Sequence, residues 1–584
     1  NQTPISNLPI APTIQNQTPI SNLPIAPTIQ NQTPISNLPI APTIQNQTPI
    51  SNLPIAPTIQ NQTPISNLPI APTIQNQTPI SNLPIAPGPT ITQILPGAAP
   101  INLAPIPTLL QVPELSASGP PSTNPLFSAS LQQQNQISNS LQQRDSPPAS
   151  RNIDISNLPP NPGAVIYPVE NRFTREFVDY LSLPPTNALA TLKVAQNTLG
   201  AVQKATGIKP AIIYMSFVPK GSTVDRPDNS SSILRVEPQI QASDELELMV
   251  ITPEGAPVRQ RITGTSRAQV IEAVGRFRTE LTNPVKRNTK TYLPWAQQLY
   301  QWIVAPIEAE LQAKGIQNLS FISDMGLRSI PMAALHDGKG FLIERYSVGS
   351  MASLTLTDTK PTNFKNTQVL AMGASQFADM SPLPAVEIEV PTITPQRWPG
   401  KSFLNQAFTL ANLRSQRPFG IIHLATHADF RSGDPSESFI QLWDTKLGLD
   451  QLRRMGWDSP QVELLVLSAC KTAVGDRQAE LGFGGLAVQA GVKSALATLW
   501  YVSDEGSLGL MAEFYGQLKT APIKAEGLRQ AQLAMLRQEV RIEGRMLRTS
   551  FGNVPLPPEW VNTGTRNFSH PYYWAAFRMI GNPW

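Results

Sequence analysis

Hydrophobic residues are scattered along the first 87 positions without the period of a helix or of a strand. The 15-residue unit NQTPISNLPIAPTIQ recurs in five full copies and a sixth that stops at Pro87. Each copy sets prolines at its fourth, ninth and twelfth positions, which blocks helix and removes donors from any ladder. An extended, polyproline-rich disordered arm is expected, with a β-solenoid as the alternative because repeats of this length can form one. From Gly88 to about Pro162 the chain stays rich in Pro, Ser, Gln and Asn, a linker composition without enough apolar periodicity to offset ordering entropy. The short string ISNLP recurs once more at 155–159.

Regular patterning begins near Gly163. ENRFTREFVDYL (170–181) puts Phe173, Phe177, Val178 and Leu181 on one helical stripe, and ALATLKVAQNTLGAVQKATG (188–207) reads as an amphipathic helix closed by Gly207. Short apolar runs follow: AIIYMSFV (211–218), LELMVITP (246–253), PVRQRITG (257–264), NLSFIS (318–323), TQVLAMG (367–373), GIIHLATH (420–427), ELLVLSAC (463–470) and KSALATLW (493–500). Helical segments separate most of them. Continuous apolar strands flanked by helices imply an α/β fold with a mostly parallel sheet buried on both faces. In such sheets chemistry sits at the carboxyl ends of the strands. The organisation expected is a repeat arm and linker over 1–162, an N-terminal α/β region over 163–365 and a second α/β domain over 366–584.

Charge and composition narrow the function classes. Between Asn1 and Gln143 Glu114 is the only charged residue, so the net charge of +4 belongs to the C-terminal part. No basic run interleaved with aromatics occurs, so nucleic acid is not an indicated partner. One cysteine and four histidines leave no room for a disulfide framework, a CxxC zinc site or a multi-histidine metal centre, and no metal or cofactor is required. No apolar run approaches the roughly 20 residues that span a bilayer. GFGG (482–485) lacks the Gly-Lys-Ser/Thr end of a phosphate loop and reads as tight helix packing.

Two strand ends carry nucleophile-type chemistry, His427 in HLATHADF and the lone Cys470 in LLVLSACKTAVG. A thiol needs an imidazole beside it to become a thiolate and to return a proton to the leaving amine. On adjacent strands the two could face one groove, with backbone N–H groups of Ala428 and Cys470 as oxyanion donors. The pattern alone equally fits a packed core cysteine and a structural histidine. His423, four residues before His427, reads as packing beneath the site on the same face; His336 and His570 read as architectural.

These strings, followed by ELGFGGLAVQAGVKSALATLW and the terminal HPYYWAAFRMIG, and preceded by FISDMGLRSIPMAALHD (321–337), resemble the ordered motifs of CHAT-domain proteins, a bacterial group of caspase-like peptidases related to separases. The resemblance covers about 285–584. It implies a caspase-like fold and a cysteine endopeptidase acting on a protein or peptide substrate, with an activating protein partner. Where caspases read Ser-His-Gly and Gln-Ala-Cys, this chain reads Thr426-His427-Ala428 and Ser468-Ala469-Cys470. His427 carries over as general base and acid, Cys470 as nucleophile, and Ala428 as an oxyanion donor with less freedom than glycine.

Relatives that cut after Arg or Lys have an Asp where Ser468 stands. Separases instead use an acid downstream, and LWYVSDEG offers Asp504 at that place, with Asp429 as the second candidate. A carboxylate at the base of a pocket would select a basic residue by charge-assisted pairing. The competing role for Asp504 is capping the helix that follows. The resemblance also suggests that 163–365 holds a site-less, pseudo-caspase unit. The alternative function is a catalytically idle caspase-like interaction module with a recruiting Pro-rich arm. Self-cleavage near Arg144, Arg151, Arg172 or Arg175 in the active enzyme would separate the two. Localisation stays open between the cytoplasm, where such modules often work, and export or surface attachment, which an uncharged arm suits.

Overall fold

A computed structural model describes residues 13–15, 28–30, 43–45, 58–60, 166–186, 188–222, 240–360, 364–472, 476–557 and 565–584, with 469–472 described by their backbone. The chain divides into two units, Asn1–Ser150 and Arg151–Trp584. In the first unit, the strands Thr13–Gln15, Thr28–Gln30, Thr43–Gln45 and Thr58–Gln60 pair in parallel in that order. Partners lie one repeat apart, Thr13 opposite Thr28 and Thr43 opposite Thr58. Each triplet opens the longest proline-free stretch of the repeat and carries two β-branched residues, so it is the part of the unit with strand propensity and free ladder donors. The expectation of a disordered arm for the rest of 1–162 falls on residues outside those described.

In the second unit the apolar runs assemble one sheet of thirteen strands. In chain order they are β1 (Pro210–Val218), β2 (Glu245–Ile251), β3 (Val258–Ser266), β4 (Asn318–Ser323), β5 (Ser347–Ser350), β6 (Val369–Gly373) and β7 (Gly400–Leu404). They continue with β8 (Ile421–Phe430), β9 (Phe439–Gln441), β10 (Lys446–Gly448), β11 (Leu464–Thr472), β12 (Ser494–Thr498) and β13 (Phe577–Gly581). The order across the sheet is β7-β6-β8-β11-β12-β13-β5-β4-β1-β2-β3, with β9 and β10 attached beside β8. Strands β7, β6, β8, β11 and β12 are mutually parallel. The C-terminal β13 runs antiparallel to β12 and parallel to β5, which joins this half to the parallel set β5, β4 and β1. The sheet is therefore continuous across the boundary expected at 365.

Helices cover the sheet: α1 (Tyr167–Tyr180), α2 (Leu192–Thr206), α3 (Arg267–Thr282), α4 (Leu293–Ile303), α5 (Ala305–Ala313) and α6 (Val386–Pro391). They continue with α7 (Leu410–Ser415), α8 (Arg477–Gly484), α9 (Leu486–Ala490), α10 (Asp504–Leu518), α11 (Lys524–Leu536) and α12 (Pro571–Trp574). The boundaries follow capping chemistry. Helix α2 starts where the Thr191 side chain accepts from the Val194 N–H and stops at Gly207, whose φ of 75° is left-handed. Helix α3 starts in a capping box of Ser266 and Gln269. The stripe of α1 packs as its spacing implied, with Phe173, Phe177 and Leu181 buried.

Strands read from sequence match β1, β2, β3, β4, β6, β8, β11 and β12. Five strands were not read: β7 (GKSFL) is a half-exposed edge, β9 and β10 span three residues each and β5 four, and β13 (FRMIG) is buried but has a charged residue within its apolar run. A small four-stranded antiparallel sheet of short strands between Arg541 and Asn567 is inserted before α12.

Candidate active site

The core of β8 and β11 is apolar because both faces are covered, which drives the two strands side by side and level. Ile421 to Leu424 stand opposite Leu464 to Leu467; beyond them His427 is opposite Ala469 and Ala428 opposite Cys470. Adjacent strands lie about 4.8 Å apart, so the His427 and Cys470 backbones are neighbours offset by one register step at the carboxyl ends of the parallel set. Four steps separate His423 from His427 on β8, whereas three separate Val466 from Ala469 on β11. The extra residue is a bulge at Ala425–Thr426, so counting pleats from His423 to His427 does not settle which face His427 takes. Thr426 is fixed there by a 2.6 Å bond from its hydroxyl to the Gln441 carbonyl on β9.

The strands also run further than their apolar cores. β8 continues to Phe430 because β9 pairs along its other edge, Ala428 opposite Ile440 and Asp429 opposite Phe439. Ala428 is thus laddered on both sides, against β9 and β11.

His427 is partly buried between two rings, Phe377 with centroids 4.7 Å apart and Tyr501 stacked at 5.7 Å and 20°. Its Nε2 lies 2.8 Å from the carbonyl oxygen of Ser381. A carbonyl only accepts, so Nε2 carries the proton and Nδ1 holds the lone pair of the neutral ring. Burial lowers the pKa of His427, and the Ser381 carbonyl opposes this by stabilising the charged form. The imidazole is therefore a neutral base near pH 7.

His423 is fully buried beneath the strand end. Its Nε2 is 2.9 Å from Glu389 Oε1 on α6, and its Nδ1 is 3.2 Å from the Tyr515 hydroxyl on α10. This supports the packing role read for it and ties α6 and α10 to the sheet. The ring of Phe430 meets Phe483 of α8 edge-on at 5.5 Å. His570 caps α12 by accepting from the Tyr572 N–H, and its Nε2 donates to the Thr289 carbonyl. His336 accepts from the Gly338 N–H.

Of the candidate acids, Asp504 is the first residue of α10, but it is not the cap. Ser503 caps, accepting from the Gly506 N–H at 3.3 Å. The Asp504 carboxylate instead accepts from the Ala385 N–H at 3.1 Å, immediately before α6. Burial pushes its pKa up to about 7; the Ala385 bond opposes this, and the Glu389 and Glu505 carboxylates add to it. Asp429 is engaged by Arg431 at 2.7 Å, and Ser468 is buried at 2 % exposure opposite the bulge. Sequence reasoning missed Phe377 and Ser381, which sit in the loop after β6, and Tyr501. Only Tyr501 had a visible signal, as an aromatic inside LWYVSDEG.

Among the described residues no group of His, Cys, Asp and Glu is placed to hold a metal, and no helix is long and apolar enough to cross a membrane. Residues 293–582 match the family model of the CHAT domain. Residues 293–582 of the chain therefore form a CHAT domain. No curated protein matches the chain. Among solved structures it is similar to chains of the Saccharomyces cerevisiae separase–securin complex in crystal structures at 3.0 Å and 2.6 Å. The TM-score is 0.37 in both, with 9% and 10% identity over 70% and 71% of this chain. The chain covers 33% of the length of those chains.

Proposed function

We propose that the protein is a cysteine endopeptidase that cleaves a protein substrate after a basic residue, using Cys470 and His427. The observation that carries this reading is the level placement of the two residues on neighbouring parallel strands of a CHAT domain. The Cys470 thiol gives its proton to His427 Nδ1, the nitrogen left free by the Ser381 bond. The thiolate attacks the scissile carbonyl carbon, the oxygen takes up the displaced electron pair, and backbone N–H groups at Ala428 and Cys470 stabilise it. Collapse expels the amine, which takes the proton from His427 and leaves a thioester. Water then attacks the thioester carbon while His427 takes its proton and passes it to the departing thiolate, releasing the acid and restoring the thiol. Asp504 receives the basic side chain by charge-assisted bonds; being freed from capping supports that role. The N-terminal α/β region serves as a buttress for the catalytic half. The Cys470 N–H supports a basal rate in the chain alone, and an activating partner raises it by parting the ladder at Ala428 so that this N–H also serves the oxyanion.

A second reading, an idle interaction module, is favoured by that same ladder, which in this structure pairs Ala428 on both edges. The deciding experiment labels the protein with an arginyl acyloxymethyl ketone and follows cleavage of protein substrates. The peptidase reading expects an adduct on Cys470 and loss of all cleavage in Cys470→Ala with an unchanged unfolding transition. Cleavage that survives in that variant sinks it. Self-cleavage, if it occurs, is expected before α1, because Arg172 is held in that helix by Asp324 at 3.0 Å and Arg175 lies in it too.

A further inference from the structure

Beside His427, on the side away from Cys470, lies an open cleft of about 440 Å³. Its apolar walls are Phe377 and Met380 from the loop after β6 and Trp443 from the turn between β9 and β10; Gln441, Asp379 and Lys446 supply its polar rim. Trp443 is 39% exposed, one of the few large apolar side chains among the described residues left open to solvent. Phe377 belongs both to this cleft and to the rings that hold His427.

The order of elements fixes the direction of any peptide crossing this edge of the sheet. Cys470 lies on β11, His427 on β8 and the cleft beside β9, so these features succeed one another across the strands. The histidine must protonate the leaving amine, which places the leaving segment on its side. Two strand spacings of about 4.8 Å separate β11 from β9, and an extended chain advances about 3.3 Å per residue, so the cleft is reached by the second or third residue after the cut.

We propose that this cleft is a leaving-side specificity subsite, which takes a large apolar or aromatic side chain two or three residues beyond the scissile bond. The inference rests on the endopeptidase reading. Trp443 and Phe377 offer ring faces for such a side chain, and the unbranched Met380 adapts to its shape. Acidic and basic rim groups of opposite sign, Asp379 and Lys446, give no net preference for a charged residue there.

The test uses the full chain and internally quenched peptides with Arg before the cut and Phe, Leu, Asp or Gly at each of the next three positions. Wild type is expected to prefer Phe or Leu over Gly at the second or third position by about 30-fold in kcat/KM, the scale of one apolar side chain in a pocket. Trp443→Ala is expected to collapse that ratio to below about 3-fold, and Trp443→Phe to retain most of it. Cys470-dependent cleavage with a wild-type ratio near one, or a ratio unmoved by Trp443→Ala, overturns the subsite and leaves the peptidase standing. No Cys470-dependent cleavage of any peptide overturns the peptidase reading and the subsite together.

Discussion

Replacing Asp504 by Asn separates what the carboxylate does for substrate from what it costs the fold. The amide oxygen can still accept from the Ala385 N–H, so the link between α10 and α6 is retained while the charge is removed. Burial raises the carboxyl from 3.8 to about 7. The unfolded chain therefore releases this proton well before the folded one, and stability drains away as pH rises through that window, levelling off above it. Three pH units at about 1.4 kcal/mol each set a ceiling near 4 kcal/mol; partial solvent access lowers the expectation to about 1–2 kcal/mol for the part lying between pH 5 and pH 8. Urea unfolding of both proteins at the two pH values is the assay. The stability of Asp504→Asn relative to wild type should grow by that amount from pH 5 to pH 8, while kcat/KM for cleavage after Arg at pH 8 falls about 100-fold or more. A stability gap that stays flat or shrinks as pH rises would refute the burial argument, and an undiminished Arg preference would remove Asp504 from the pocket.

The same ionisation gives wild type a pH profile: cleavage after Arg should climb as pH rises through about 7, and cleavage after an uncharged residue should lack that limb, read as kcat/KM from pH 5.5 to 8.5. Glu389→Ala leaves a buried His423 ring nitrogen without its partner, and about 1–3 kcal/mol of stability should go with it, seen in the urea midpoint. Ser503→Ala removes the α10 cap and should cost about 1 kcal/mol, a fall of about 1 °C in Tm by calorimetry for a unit of this size. Gly373→Ala would set a Cβ 2.7 Å from the Ala425 carbonyl and 2.6 Å from Val386, beside the bulge, and should lose about 1–3 kcal/mol by the same unfolding assay.

The parallel sheet was legible because β1, β4, β8 and β11 are continuous apolar runs, a pattern few other environments produce. Helix α2 was legible for a different reason, a glycine placed where only a left-handed residue closes the turn. Edge strand β7 was not, since half-exposed GKSFL has neither alternation nor a run. In the candidate site, His427 and Cys470 could be read from their motifs, and Asp504 from LWYVSDEG. Ser381 could not, because it acts through a backbone carbonyl that any residue would supply. The bulge escaped for a related reason: a strand one residue too long has the same composition as a regular one, and only its partner's register exposes the excess.

That extra residue makes β8 two reading frames spliced at Ala425–Thr426. The upstream frame is keyed to the interior through His423, Glu389 and Tyr515; the downstream frame is keyed to the rim through His427, Ser381 and Phe377. Substitutions that repack the interior frame need not be transmitted to the rim frame, because the splice absorbs them. The chemistry of the rim is in this sense modular, and it can be lost, kept or retuned in descendants of this chain while the sheet that carries it stays the same.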